Sequence, residues 1–127
     1  MEQYFKYIDK VSNECLGTSL KVNEKDTNTW FLIFNKKKLA CFIILDPATN
    51  LIKEVCVAKF FSKKEKAFDA VKEGMKVIFN KTGSTPKIVL ENNIQKYNDL
   101  LKMYISYGFT LTKNDGRLTT LEIKTQE

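Results

Sequence analysis

Residues 51 to 79, LIKEVCVAKFFSKKEKAFDAVKEGMKVIF, run from a β-branched segment through a tight turn into an amphipathic segment, which restricts the chain to folds where a strand feeds directly into a helix. The strand is Leu51 to Ala58, with Leu51, Val55 and Val57 on one face and Ile52, Glu54 and Cys56 on the other. A carboxylate therefore stands on an otherwise apolar strand. Lys59-Phe60-Phe61 is the turn, and Ser62 with Glu65 has the Ser-x-x-Glu spacing of a capping box that opens a helix over 62 to 80. Ala67, Phe68, Val71, Met75 and Ile78 recur there at helical steps, so one face is core.

A strand entering a helix N-terminus presents free backbone N–H groups and the positive end of the helix dipole at its C-terminal edge, a natural place for phosphate. Lys63, Lys64 and Lys66 crowd the first turn, where the dipole alone would favour acids. Two readings stand side by side. Either the lysines meet a bound polyanion, or they form an ordinary charged helix face in water.

The other elements follow from pattern. Tyr4, Phe5, Ile8, Val11 and Cys15 have helical spacing over residues 2 to 14 and beyond, ending by Gly17; a strand over Tyr4 to Ile8 is the competing reading. Thr18 to Thr29 is a loop with room for one short element. Thr29 to Phe34 and Leu39 to Leu45 form a hairpin across Asn35 to Lys38, and Asp46 to Asn50 turns the chain into the strand described first. Beyond the loop Lys81 to Thr85, Pro86 to Leu90 is a strand parallel to residues 51 to 58 through a βαβ crossover. Asn92 or Asn93 caps a helix carrying Ile94, Tyr97, Leu100, Leu101 and Tyr104, closed by Gly108. Phe109 to Thr112 and Leu118 to Ile123 pair across the Asp115-Gly116 turn.

Several chemistries are excluded or disfavoured by composition. The chain of 127 residues, 43% hydrophobic, fits a single domain over residues 1 to 127. It contains no histidine, which removes Ser-His and Cys-His nucleophile systems and most zinc sites, and no metal is expected. Cys15, Cys41 and Cys56 lack metal-type spacing and read as free thiols in a reducing compartment, cytosolic or nuclear. No signal-type or membrane-length apolar run occurs, so no membrane partner is expected. The net charge of +6 is almost wholly lysine, with Arg117 the single arginine. Arginine is the usual bidentate base reader, so nucleic acid is a weak expectation; Trp30, Phe31 and Phe34 beside Lys36 to Lys38 alternate as in a half-buried strand.

The segment Tyr104-Ile105-Ser106-Tyr107-Gly108-Phe109, preceded by Met103, resembles the helix exit Tyr-x-x-x-Gly-Phe of the Gcn5-related N-acetyltransferase superfamily, and the element order over roughly residues 29 to 123 is similar. The resemblance implies an α/β (α+β) fold: a mixed central sheet with antiparallel N-terminal strands, a βαβ crossover and a C-terminal hairpin. It implies a V-shaped gap between the strands of residues 51 to 58 and 86 to 90 that takes the pantetheine arm of acetyl-CoA, hydrogen-bonded by backbone near Cys56 and Val57. Tyr104 matches the tyrosine that protonates the departing thiolate; by spacing alone it is one more core residue of the helix stripe. Asn98 lies one register position from a cofactor-contacting asparagine, or is simply an exposed helix residue.

The phosphate loop departs from the family pattern of Gln or Arg, two residues, Gly, one residue, then Gly or Ala. Ser62, Lys63, Lys64, Glu65, Lys66 and Ala67 occupy those positions, and only Ala67 fits. Glu65 competes with phosphate for the same N–H groups, so either the lysines take over the pyrophosphate or the helix caps itself. Glu54 is the candidate base that deprotonates an amine, or it pairs with a lysine across the hairpin such as Lys38. The expectation is an acetyl-CoA-dependent transferase acting on an amine-bearing small molecule or protein, as a monomer or homodimer. A binding or scaffold module without catalysis is the alternative.

Overall fold

The computed structural model describes residues 4–17, 27–61 and 64–123, with the side chains of residues 61, 64 and 65 outside that description. The elements run α1 (Phe5–Leu16), β1 (Thr29–Asn35), β2 (Lys38–Asp46), β3 (Leu51–Val57), a 3-10 turn (Lys59–Phe61), α2 (Lys64–Thr82), β4 (Ile88–Glu91), α3 (Tyr97–Ser106), β5 (Thr110–Asn114) and β6 (Leu118–Glu122). This is the order expected from the sequence, and it excludes a strand over Tyr4 to Ile8. Gly17, in the left-handed region, ends α1 by donating its N–H to the Asn13 carbonyl at 3.0 Å.

The sheet is built in two antiparallel halves, β1-β2-β3 and β4-β6-β5. They touch through one parallel bridge, Leu51 to Lys87, where the Ile52 N–H donates to the Lys87 carbonyl at 2.8 Å. The mixed character of the sheet thus resides in a single junction at the start of β3. The last strand, β6, inserts between β4 and β5. No sequence pattern announced that order.

α2 covers one face of the first half and α1 the other. Ala67, Ala70, Val71, Met75 and Ile78 of α2 join Phe31, Ile43, Leu45, Val55 and Val57 in the larger core. Ile8 and Val11 of α1 pack with Leu39, Phe42, Ile44, Cys56 and Ala58 in the smaller one. Two expectations are corrected here. The register shifts between Ile44 and Leu45, so Glu54 faces Ile44 while Ile52 faces Leu45, and the extra residue Lys53 turns Ile52 into the larger core with Val55 and Val57 instead of beside Glu54 and Cys56. Phe68, expected in the core stripe, is exposed because the buried face of α2 is rotated toward Ala70 and Gly74, where the helix approaches the sheet closely. A Cβ on Gly74 would stand 2.6 Å from Ile43 Cδ1.

α3 begins at Tyr97, later than Asn92 and Asn93 suggested. Asn92 is engaged elsewhere: its side chain donates to Asn114 Oδ1 at 2.9 Å and accepts from Thr119 Oγ1 at 2.6 Å, tying the end of β4 to the last hairpin. The turn of that hairpin is set as expected by Asp115, whose carboxylate accepts the Arg117 and Leu118 N–H groups at 2.9 and 2.8 Å. Ser62, and with it the capping box, lies outside the described residues.

Candidate functional site

Antiparallel pairing fixes which backbone groups of β3 are spent and which are free. The Ala58 N–H donates to the Ala40 carbonyl at 2.7 Å, and the register continues as Val57 opposite Cys41, Cys56 opposite Phe42, Val55 opposite Ile43 and Glu54 opposite Ile44. Hydrogen-bonded and non-hydrogen-bonded pairs alternate, so Glu54, Cys56 and Ala58 bond to β2 while the peptide groups of Val55 and Val57 face away from it. On that side β4 has already diverged from its junction at Lys87. The result is a wedge between β3 and β4 with strand-type donors and acceptors along one wall.

Glu54 and Tyr104 meet beside this wall. The Tyr104 hydroxyl donates to Glu54 Oε1 at 3.5 Å, joining β3 to α3. Burial pushes the Glu54 carboxyl up, with the Tyr104 hydrogen bond pulling the other way. Burial, and then the charge of Glu54, pushes the Tyr104 phenol well above its ordinary range. The lysine partner considered for Glu54 is absent from this contact: Lys38 faces Asn35 across the first hairpin, and its Nζ lies 5.5 Å from the centroid of the Phe60 ring.

Two residues that the sequence did not mark for the site arrive from distant segments. Cys15, in the last turn of α1, places Sγ 3.9 Å from the Val55 carbonyl oxygen, 3.9 Å from Met103 Sδ and 3.7 Å from the Tyr107 hydroxyl. A hydrogen bond from Cys56 holds the Cys15 thiol below the ordinary thiol range against the opposing effect of burial. The same hydrogen bond, with burial, pushes the Cys56 thiol far up. Burial raises Tyr107, while the Val57 backbone N–H acts on both Tyr107 and Cys15 in the lowering direction. Helical spacing had marked Cys15 only as the end of a stripe. Tyr107 lies inside the Tyr104 to Phe109 segment, yet its place at the wall is a tertiary fact.

The remaining candidates are placed as follows. Cys56 is wholly buried with its backbone turned to β2, so Val55 replaces it as the partner of Val57 on the open wall. Ala67 is buried at the start of α2, Lys66 is exposed beside it, and Asn98 is exposed on α3. Ser62 and Lys63 lie outside the described residues, as do the side chains of Lys64 and Glu65. Cys15, Cys41 and Cys56 carry free thiols.

The fold matches the crystal structure of the ribosomal-protein-S18-alanine N-acetyltransferase from Escherichia coli with a TM-score of 0.60, over 95% of this chain and 86% of that one, at 11% sequence identity. The chain has the fold of the Gcn5-related N-acetyltransferases. No family model matches the sequence, and no curated protein matches it. No helix among the described residues is long and apolar enough to cross a membrane.

Proposed function

We propose that the chain is an acetyl-CoA-dependent N-acetyltransferase that moves an acetyl group directly to a primary amine: a protein lysine, a chain N-terminus or a small amine such as a polyamine. What carries this reading is the juxtaposition of an open strand wall, Val55 and Val57, with the hydrogen-bonded pair Glu54 and Tyr104. The wall fits an extended arm bearing amides, because such an arm completes the pairing that β4 leaves unmade. Glu54, half-buried and raised in pKa, accepts the proton that the attacking ammonium must lose. Tyr104, held neutral by burial and by the neighbouring carboxylate, donates its proton to the departing sulfur as charge develops there. The contact of 3.5 Å between them lets the phenol recover its proton from Glu54, and the second proton that the nitrogen sheds as the tetrahedral adduct collapses leaves to water, so both side chains end as they began. The free thiols suit a reducing compartment, the cytosol or nucleus.

One observation favours a second reading, a binding module without catalysis. The Val57 N–H already acts on the Cys15 and Tyr107 side chains, which an incoming arm must displace. A thermal melt with acetyl-CoA separates the two. At about 100 times its dissociation constant a ligand adds about 2.7 kcal/mol, a shift of several degrees for a domain of this size. A shift, followed by amine-dependent release of free thiol from acetyl-CoA, is the expected result; an unchanged melt at millimolar acetyl-CoA favours the module.

A further inference from the structure

Along α1, a second surface has the composition of a different kind of site. A cavity of about 350 Å³ opens between α1, the start of β2 and the turn after β3, lined by Lys6, Tyr7, Lys10, Val11, Glu14, Lys38, Leu39, Ala58 and Phe60. Tyr7, Phe34 and Phe60 are 43%, 40% and 47% exposed, a large apolar area to leave against water. Their rings are spread along one strip. Tyr7 stands edge-on to Phe34 with centroids 5.9 Å apart, Tyr4 supports Phe34 at 5.8 Å, and Phe60 closes the other side of the cavity beneath the Lys38 ammonium. Cations stand beside the rings: Lys6 and Lys10 are one helical turn apart next to Tyr7, and Lys36 and Lys37 form the turn of the first hairpin beyond Phe34. Among the described residues the single acid lining the cavity is Glu14, and its Oε1 is occupied by the Lys59 N–H at 2.8 Å.

We propose that this strip, Phe34 and Tyr7 to Phe60 with Lys6, Lys10 and Lys38 between them, binds single-stranded nucleic acid. Tyr7 and Phe34 offer exposed ring surface on which any base can stack, Phe60 with Lys38 over its ring closes the end of the strip, and the lysines track the phosphates between them. The absence of arginine along the strip suits binding without base readout. A duplex keeps its bases stacked on one another and would leave the rings unused. A polymer of acidic residues alone would meet the lysines and leave the rings unused. The sequence pointed away from this reading because Trp30, Phe31 and Phe34 looked like one strand's alternation. Trp30 in fact stacks on Phe42 and Phe31 is core, while Phe34 is presented outward with Tyr7, which belongs to another element.

The test is a fluorescence-anisotropy titration of the whole chain with labelled 12-nucleotide oligouridylate and oligothymidylate at physiological salt. Binding is expected to weaken about 5- to 150-fold in Tyr7→Ala and in Phe34→Ala, the range for losing one stacked base. Replacing Lys6, Lys10 and Lys38 together with glutamine should reduce the slope of log affinity against log salt by about 2, at about 0.7 per phosphate on a single strand. All of these side chains are exposed, and circular dichroism on each variant reports its folding. No binding at physiological salt overturns the proposal, as does equal competition by a duplex of the same length or by polyglutamate. Affinity that falls with the lysine variant while both ring variants bind as the parent does overturns it too. None of these outcomes depends on whether the wedge binds acetyl-CoA.

Discussion

Burial sets the protonation states of Glu54 and Tyr104 in the senses that acyl transfer to an amine requires, a carboxylate made more basic and a phenol kept neutral. For Glu54 the folded-state pKa lies above the unfolded value, so between the two the folded protein holds a proton that the unfolded chain has lost. Stability therefore falls as pH rises through that window. Melting temperatures taken from about pH 4 to pH 8 should show this fall in the parent and lose it in Glu54→Gln; parallel curves would remove Glu54 as its source. Tyr104→Phe should leave the acetyl-CoA melting shift intact and lower kcat by about 100- to 10,000-fold, and unchanged turnover would take the phenol out of the reaction. Both residues were legible in the sequence, one as an acid on an apolar strand and the other through its six-residue motif. Cys15 and Tyr107 were not, since the thiol reaches the hydroxyl across 92 positions and Val55 across 40, separations for which local pattern carries no signal.

At the scale of elements, Gly108 shows how the exit of α3 is locked to α2. Its φ is +103°, and a Cβ there would collide with the Phe68 ring, so both conformation and space exclude a side chain. Gly116, at φ +93° with open space around it, meets only the conformational penalty. Gly108→Ala should therefore lose more stability than Gly116→Ala, by about 1 to 3 kcal/mol of added overpacking, measured by urea denaturation. Equal losses would show that Phe68 swings aside. The order of the described elements followed from periodicity and turn chemistry, with the first left open between helix and strand. What did not follow was pairing that depends on non-local geometry: the insertion of β6 between β4 and β5, the bulge opposite Ile44 and Leu45, and the diversion of Asn92 from helix cap to hairpin tie. Each is decided by a partner far along the chain.

Across the whole molecule, the parting of the two half-sheets gives β3 an unequal pair of edges. Amide hydrogen exchange should report this residue by residue. Glu54 and Cys56, paired with β2, should be protected, Val55 should exchange fastest, and Val57, whose N–H meets the Cys15 and Tyr107 side chains, should lie between; acetyl-CoA should slow Val55 and Val57 alone. Uniform protection along β3 would mean that the wedge closes in solution. The gap itself was expected from the family resemblance, and the single bridge that defines its apex came only with the fold. That union at Leu51 and Lys87 closes the narrow end, and beyond it the two halves share one core in which Ile88, Leu90 and Leu121 pack with Ile43, Val55 and Val57. A change of angle between the half-sheets would have to break that packing, so the aperture is built in at a set width.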